Sequence, residues 1–329
     1  MLKLDFINVG YGDSILIRLM KTDRTVFSIL VDCGDLTLGK TEEGSKRIRA
    51  VELLKKEGVS RLDVLALSHL HLDHTGGLPD LADEIEIKEL WVNYLPPQQY
   101  WGKTVGCSEE LSPGANCLLT SLNLYLQALN TLREKGTRIV LHRNNKQRID
   151  LEGELRVHLF MEEELLELQD GIWAETLEER GSNAMLTRLD RFINNTSLRI
   201  RLQYADRTIS LPGDIYAAKW DQKQLPSMDI VKIPHHGHKD SMTQKLSDML
   251  RPEYAVISVS NSRSDCPDPG VIKLLQRHAK EVLFTDAVKA EACKQATHET
   301  VSFCIDPDGS IKIDTKEEII SDRRCSYER

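Results

Sequence analysis

Three histidines and an aspartate stand within six residues in His69-Leu70-His71-Leu72-Asp73-His74, directly after the apolar run Val64-Leu65-Ala66-Leu67. Imidazole nitrogens and carboxylate oxygens are the donors that divalent zinc, manganese and iron take. A cluster this dense at one strand end is costly unless a cation offsets it. The chemistry indicated is metal-assisted hydrolysis. In extended backbone alternate side chains share a face, so His69, His71 and Asp73 point one way and His74 turns to a neighbouring position. One motif can then serve two ions. A pair of ions about 3.5–4 Å apart clamps the attacking and leaving oxygens of an in-line displacement. Such a site needs a bridging carboxylate and another histidine. Asp214, in Leu211-Pro212-Gly213-Asp214, fits the bridge, and His235-His236-Gly237 supplies the histidine, with His236 taken as the ligand.

The elements that must hold these residues alternate between sheet and helix. Leu2, Leu4 and Phe6, then Ile15, Ile17 and Leu19, show the two-residue period of strands on either side of the turn Gly10-Tyr11-Gly12-Asp13. A third strand runs from Thr25 to Val31 and ends at Asp32-Cys33-Gly34. The spacing predicts a helix over Ser45 to Lys56, stopped by Gly58, then a strand Leu62–Ser68 and the histidine motif. The second half repeats the scheme. Strands are expected over Leu198–Tyr204, Thr208–Leu211, Ile230–Ile233 and Tyr254–Ser258, with a helix over Pro269–Ala279. Candidate ligands fall at strand ends. The pattern indicates an α/β (α+β) chain with two sheets face to face and helices outside, in one domain spanning 1–329. Residues 93–136 and 161–193 interrupt it and read as two mostly helical insertions. The tail after about Asp314 is polar and is expected to fray.

The formal net charge is −8, from 43 basic and 51 acidic residues. This balance argues against a broad nucleic-acid-wrapping surface, although bound ions would supply positive charge at the site itself. The seven cysteines, Cys33, Cys107, Cys117, Cys266, Cys293, Cys304 and Cys325, form no C-x-x-C pair, as in a reduced cytoplasmic protein. No apolar run approaches the ~20 residues of a membrane span, so no membrane partner is expected. Several residues read as structural: Asp13 as a turn cap, the isolated His142, His158, His278 and His298, and Cys33 and Cys266 as inert thiols. Glu162–Glu164 reads as a solvated helix start. Tyr94, Tyr100 and Trp101 either anchor the first insertion or stack on bases at the site entrance, the anchor being favoured.

In order, Asp32-Cys33-Gly34, the six-residue histidine motif, Gly213-Asp214 and His235-His236-Gly237 resemble the motifs of metallo-β-lactamase-fold hydrolases. Asn8-Val9-Gly10-Tyr11-Gly12-Asp13-Ser14, Asn194-Asn195-Thr196-Ser197-Leu198 and Ile233-Pro234-His235-His236-Gly237 are similar to one branch, the C-terminal hydrolase domain of the competence protein ComEC. The resemblance implies a four-layer αββα sandwich with the site at one edge. It implies two divalent ions, zinc or manganese. His69 and His71 would bind the first, Asp73, His74 and His236 the second, and Asp214 would bridge, with Asp32 orienting ligands from behind. The chain departs from the pattern twice. Asn194-Asn195 stands where many relatives place a third first-ion histidine, so Asn195 is a possible ligand or helper. Asp265-Cys266-Pro267 stands where the ComEC branch has Gly-His-Pro, so a thiol replaces a histidine that would hold phosphate or donate a proton.

The function implied is a metal-dependent hydrolase, foremost a phosphodiesterase or nuclease in which water is activated to hydroxide by two ions. Asp73 would act at the centre, and His235 or His238 would protonate the leaving oxygen. The partner would be nucleic acid or a small phosphodiester. One alternative is a hydrolase of the same fold acting on a thioester, lactone or lactam. Another is a metal-stabilised component of a multi-protein system with little turnover, meeting protein partners through the insertions.

Overall fold

A computed structural model describes residues 1–22, 24–39, 46–260, 263–286 and 298–314. The strands run in chain order as β1 (Leu2–Ile7), β2 (Ile15–Lys21), β3 (Arg24–Val31), β4 (Arg61–Ala66), β5 (Glu86–Val92), β6 (Arg138–Leu141), β7 (Gln147–Asp150), β8 (Arg156–Phe160), β9 (Arg199–Tyr204), β10 (Arg207–Leu211), β11 (Ile230–Lys232), β12 (Tyr254–Ile257), β13 (Glu281–Phe284), β14 (Thr300–Ile305) and β15 (Ile311–Asp314). The helices are α1 (Ala50–Lys56), α2 (Leu72–Thr75), α3 (Leu78–Glu84), α4 (Pro113–Glu134), α5 (Glu163–Leu177), α6 (Asn183–Asp190), α7 (Ala217–Trp220), α8 (Gln244–Leu250) and α9 (Pro269–Leu275). One sheet has the order β15-β14-β1-β2-β3-β4-β5-β6 and the other β13-β12-β11-β10-β9-β8-β7.

The side-chain alternation sorts each strand between two cores. In β3 and β4, Ile29, Val31, Val64 and Ala66 face the second sheet, whereas Leu30 and Leu65 face outward under helices. Both faces are covered, so β4 reads as a nearly continuous apolar run. The inter-sheet core joins Leu4, Phe6, Ile17 and Phe303 to Ile200, Leu202 and Ile209. Outside the first sheet, α1, α3 and α4 contribute Leu54, Leu81 and Leu122 to one cluster. Outside the second sheet, α8 and α9 contribute Leu246 and Leu275 to another. The four layers are therefore helix, sheet, sheet, helix, as the sequence pattern indicates.

Both interrupting stretches are helical, as expected: α4 lies in the first, α5 and α6 in the second. Their apolar faces share the outer core of the first sheet, with Leu126, Trp173 and Leu189 fully buried. Tyr94 is an anchor. Its ring lies tilted against Trp173 with centroids 6.0 Å apart, and its carbonyl accepts a hydrogen bond from the Tyr125 hydroxyl at 2.7 Å. Trp101 donates to the Pro96 carbonyl at 2.9 Å. The helix expected from Ser45 begins only at Ala50, because Arg49 is extended and Arg47 turns away to pair with Asp286. Glu162 is not a solvated residue either, since Arg199 and Lys223 both bind it. The tail after Asp314, Cys293 and Cys325 lie outside the described residues. No described helix is long and apolar enough to cross a membrane.

Candidate metal centre

The parallel strands β3, β4 and β10–β12 end on one edge, where an open α/β sheet exposes its ligand-binding crevice. Each end delivers one part of the site. Asp32 follows β3, His69 to His74 follow β4, Asp214 follows β10, and His235 and His236 follow β11. The turn before Asp214 needs Gly213, whose φ is +60° and where a Cβ would lie 2.7 Å from the Ser197 hydroxyl. Gly12 meets a similar limit, since a Cβ there would fall 2.2 Å from the Asp73 carbonyl. His235 and His236 both adopt left-handed backbone, at φ 48° and 52°. Such residues cost on the order of 1–3 kcal/mol each and persist where their surroundings hold them. Here the His235 amide donates to Asp214 Oδ1 at 2.9 Å, and His236 Nδ1 lies 3.1 Å from the Ser258 carbonyl.

The structure gathers Asp73, His74, Asp214 and His236 so that one donor atom of each lies within 4.8 Å of the others. His236 Nε2 is 3.0 Å from Asp73 Oδ2 and 3.2 Å from Asp214 Oδ2. His74 Nε2 is 3.2 Å from the same Asp214 oxygen. The far nitrogens are held from behind, His74 Nδ1 by Asp32 at 2.8 Å and His236 Nδ1 by Ser258. Asp32 also accepts from the Ser68 amide and hydroxyl, both at 2.7 Å. This is the arrangement that turns Nε2 of an imidazole toward a cation.

His69 and His71 lie beside this group as a pair, with His69 Nε2 3.1 Å from His71 Nδ1. His71 Nε2 is buried without a hydrogen-bond partner. The nearest acid to it is Asp190 Oδ1, at 3.4 Å, at the end of α6 in the second insertion. Asn195 is committed elsewhere, its amide oxygen accepting from the Tyr216 amide at 3.1 Å, whereas Asn194 Oδ1 is buried without a partner. His235 turns its ring to the rim, with Nδ1 2.7 Å from Asp240. His238 Nε2 is 3.3 Å from the Tyr11 hydroxyl.

Sequence reasoning missed Lys232 and misread Asp13. Lys232 is 1% exposed, and its ammonium contacts both Asp13 and Asp214, the latter at 2.9 Å. Asp13 is therefore the partner of a buried lysine rather than a turn cap. The available signal was a lone lysine inside the apolar strand Ile230-Val231-Lys232-Ile233. Tyr11 was missed as well, although it lies 4.4 Å from the His236 ring.

The electrostatics fit a cationic guest. Burial alone would raise the Asp214 carboxyl, but Lys232, His236 and His74 hold it well below the usual range. Burial likewise works against the His74 imidazolium, yet Asp214, Asp73 and Asp32 push it well above its ordinary value. His69, farther from the acids, is pushed down by burial and by His74 and His71. Once the imidazoles are neutral, Asp13, Asp32, Asp73 and Asp214 face Lys232 as the one buried ammonium among them. The excess of negative charge and the converging Nε2 atoms match divalent ions.

Two outcomes are expected. Lys232→Met leaves Asp13 and Asp214 buried without their cation and should destabilise the fold by about 3–5 kcal/mol in urea unfolding. An unchanged midpoint would contradict the pairing. For His236, burial lowers the imidazole but Asp214 and Asp73 outweigh it, raising it from 6.5 to about 9. Its pairing stabilises the ion-free chain fully below pH 6.5 and is lost as pH rises through about 9. An ion needs the neutral ring, so zinc uptake should release protons at pH 7 and strengthen toward pH 9. Calorimetric titration in buffers of different ionisation enthalpy measures this, and an absence of proton release would refute it.

A family model described as the metallo-beta-lactamase superfamily matches residues 7–97. ComE operon protein 3 of Bacillus subtilis (strain 168) is 24% identical over 299 residues, which are 86% of this chain and 32% of that protein. The chain thus spans about a third of that relative's length. Among solved structures, the metallo-beta-lactamase fold protein YhfI from Bacillus subtilis is 12% identical, with a TM-score of 0.47 and coverage of 86% of this chain and 96% of that one. Zinc-bound PqqB from Methylobacterium extorquens is 10% identical, with a TM-score of 0.44 and coverage of 86% and 97%. The two sheets between helical layers are those of the metallo-β-lactamase fold, whose family model matches the part of this chain that holds Asp32 and His69 to His74.

Proposed function

We propose that the chain is a metal-dependent phosphodiesterase or nuclease. The observation that carries this is the convergence of Asp73, His74, Asp214 and His236 beside the His69–His71 pair. Asp73, His74 and His236 would hold one ion. His69 and His71 would hold the other through the nitrogens that face each other, with Asp190 orienting His71 from its far nitrogen and Asp214 shared between the two. Divalent ions at such a cluster lower the pKa of water and offset charge on phosphoryl oxygens. Zinc and manganese both suit this donor set, and the carboxylate-rich shell favours manganese more than an all-histidine one would.

The rim on the His236 side supports a phosphodiester over a neutral ester. Arg263 lies 4.5 Å over the Tyr11 ring, and His235 and His238 stand together with ring centroids 4.5 Å apart. Arg263 is itself paired with Asp265, so what this rim offers non-bridging phosphoryl oxygens is chiefly hydrogen-bond donors. Asp240 holds His235 Nδ1, so Nε2 is the nitrogen left free to exchange a proton with the leaving oxygen. His238 is held neutral by burial and by His235. Burial and then Asp73 keep the Tyr11 hydroxyl protonated, so it is available as a donor. Cys266 is buried and its thiol is pushed up to about 12 by burial and Asp265, so it does not act as a thiolate. His238, with Asp265, stands beside that thiol and brings an imidazole to the edge where the branch pattern has Gly-His-Pro.

The test is incubation of the zinc- or manganese-loaded chain with single- and double-stranded DNA, RNA and small phosphodiesters, beside a panel of fluorogenic esters and lactams. Cleavage of a phosphodiester by the native chain and none by a folded Asp214→Ala variant is expected. Turnover of esters or lactams alone, or undiminished turnover in Asp214→Ala, would contradict the proposal.

A further inference from the structure

We infer that the outer face of β8, β9 and β10 carries a second binding site, for a small organic anion of the phosphate-ester class. The strand register creates it. Phe160 pairs with Arg199, and His158, Arg201 and Ser210 form a row across the three strands. Their neighbours Leu159, Ile200, Leu202, Ile209 and Leu211 fill the inter-sheet core, so this row faces away from it. The helical layer over β11 and β12 does not close over this end. Residues 220–228 and the turn at Asn145–Lys146 wall it instead, leaving a cavity of about 440 Å³. That volume lies within the range of small-molecule sites.

Lys146, Arg199, Arg201 and Lys223 line the cavity together with Phe160 and Trp220, and no carboxylate lines it. In a chain of net charge −8 this is a local inversion of sign. Glu162, outside the cavity, pairs with Arg199 and Lys223. Arg201 has no such partner among the described residues, and its guanidinium rests 4.8 Å over the Phe160 ring. The Nε atoms of Arg199 and Arg201 are both buried without hydrogen-bond partners. Burial alone lowers the Arg201 guanidinium, with no carboxylate to oppose it. Leaving such donors unpaired is unfavourable, and an oxyanion relieves it. The Arg201 guanidinium fork matches the geometry of phosphate oxygens, with Arg199, shared with Glu162, beside it. Phe160, Trp220, Leu225 and Met228 give the apolar wall that an organic body would contact. A ligand of nucleotide size meets both requirements, and the walls restrict it to about one such unit.

This site is separate from the metal centre and does not depend on what the metal centre hydrolyses. The test is calorimetric titration of the metal-loaded chain with ADP and, separately, inorganic phosphate, repeated on Arg201→Gln, Arg201→Lys and Asp214→Ala. Circular dichroism checks that each variant folds. One saturable ADP site is expected in the native chain and in Asp214→Ala. It should weaken about tenfold or more in Arg201→Gln, with partial recovery in Arg201→Lys and weaker binding of phosphate than of ADP. No saturable binding would overturn the inference. So would ADP binding that survives Arg201→Gln but disappears in Asp214→Ala, because the ligand would then sit at the metal centre.

Discussion

Asp214 divides its carboxylate between two sets of partners, and the edge of the sandwich is organised around that division. Oδ1 is held by the Lys232 ammonium and the His235 amide, at 2.9 Å each. Oδ2 is turned toward His74 and His236 at 3.2 Å. A carboxylate buried this deeply is stable only with such compensation. The Lys232 contact ties Asp214 to Asp13 on the β1–β2 loop, and the His235 contact holds two consecutive left-handed residues in place. One ion pair thereby joins the two sheets at their open edge and leaves a single oxygen directed at the centre.

Much of this edge was legible in the sequence because strand ends advertise themselves. A two-residue period running into Asp32, His69, Asp214 and His235 locates each residue at the mouth of a crevice before any coordinates are known. Strands β5 to β8 and β13 to β15 have no counterpart in the sequence reading. Residues such as Gln147, Arg148 and Asp150 in β7 are half-buried or exposed near a sheet edge, and their composition is that of a loop. The beginning of α1 was placed too early because apolar spacing cannot register that Arg47 leaves the helix for Asp286.

What could not be read depended on contacts between distant segments. Asp190 sits at the C-terminal end of α6, where the helix dipole disfavours a carboxylate, and nothing in its own segment explains it. The structure supplies a reason: it lies opposite the unpartnered Nε2 of His71 and against Gly114 at the start of α4. The two helical stretches thus meet beside His71, behind the ring nitrogen that faces away from His69. The basic cavity is a similar case. Alternation in β9 shows Arg199 and Arg201 on one face, but only the fold shows that residues 220–228 enclose them.

The most direct measurement is the number of divalent ions bound per chain, by elemental analysis of protein reconstituted with manganese or zinc. Two ions are expected for the native chain. Asp190→Asn should weaken one of them by about 10–100-fold while the other stays bound. A native chain that holds no ion under saturating conditions, or an Asp190→Asn chain that holds two as tightly as the native one, would contradict this organisation of the centre.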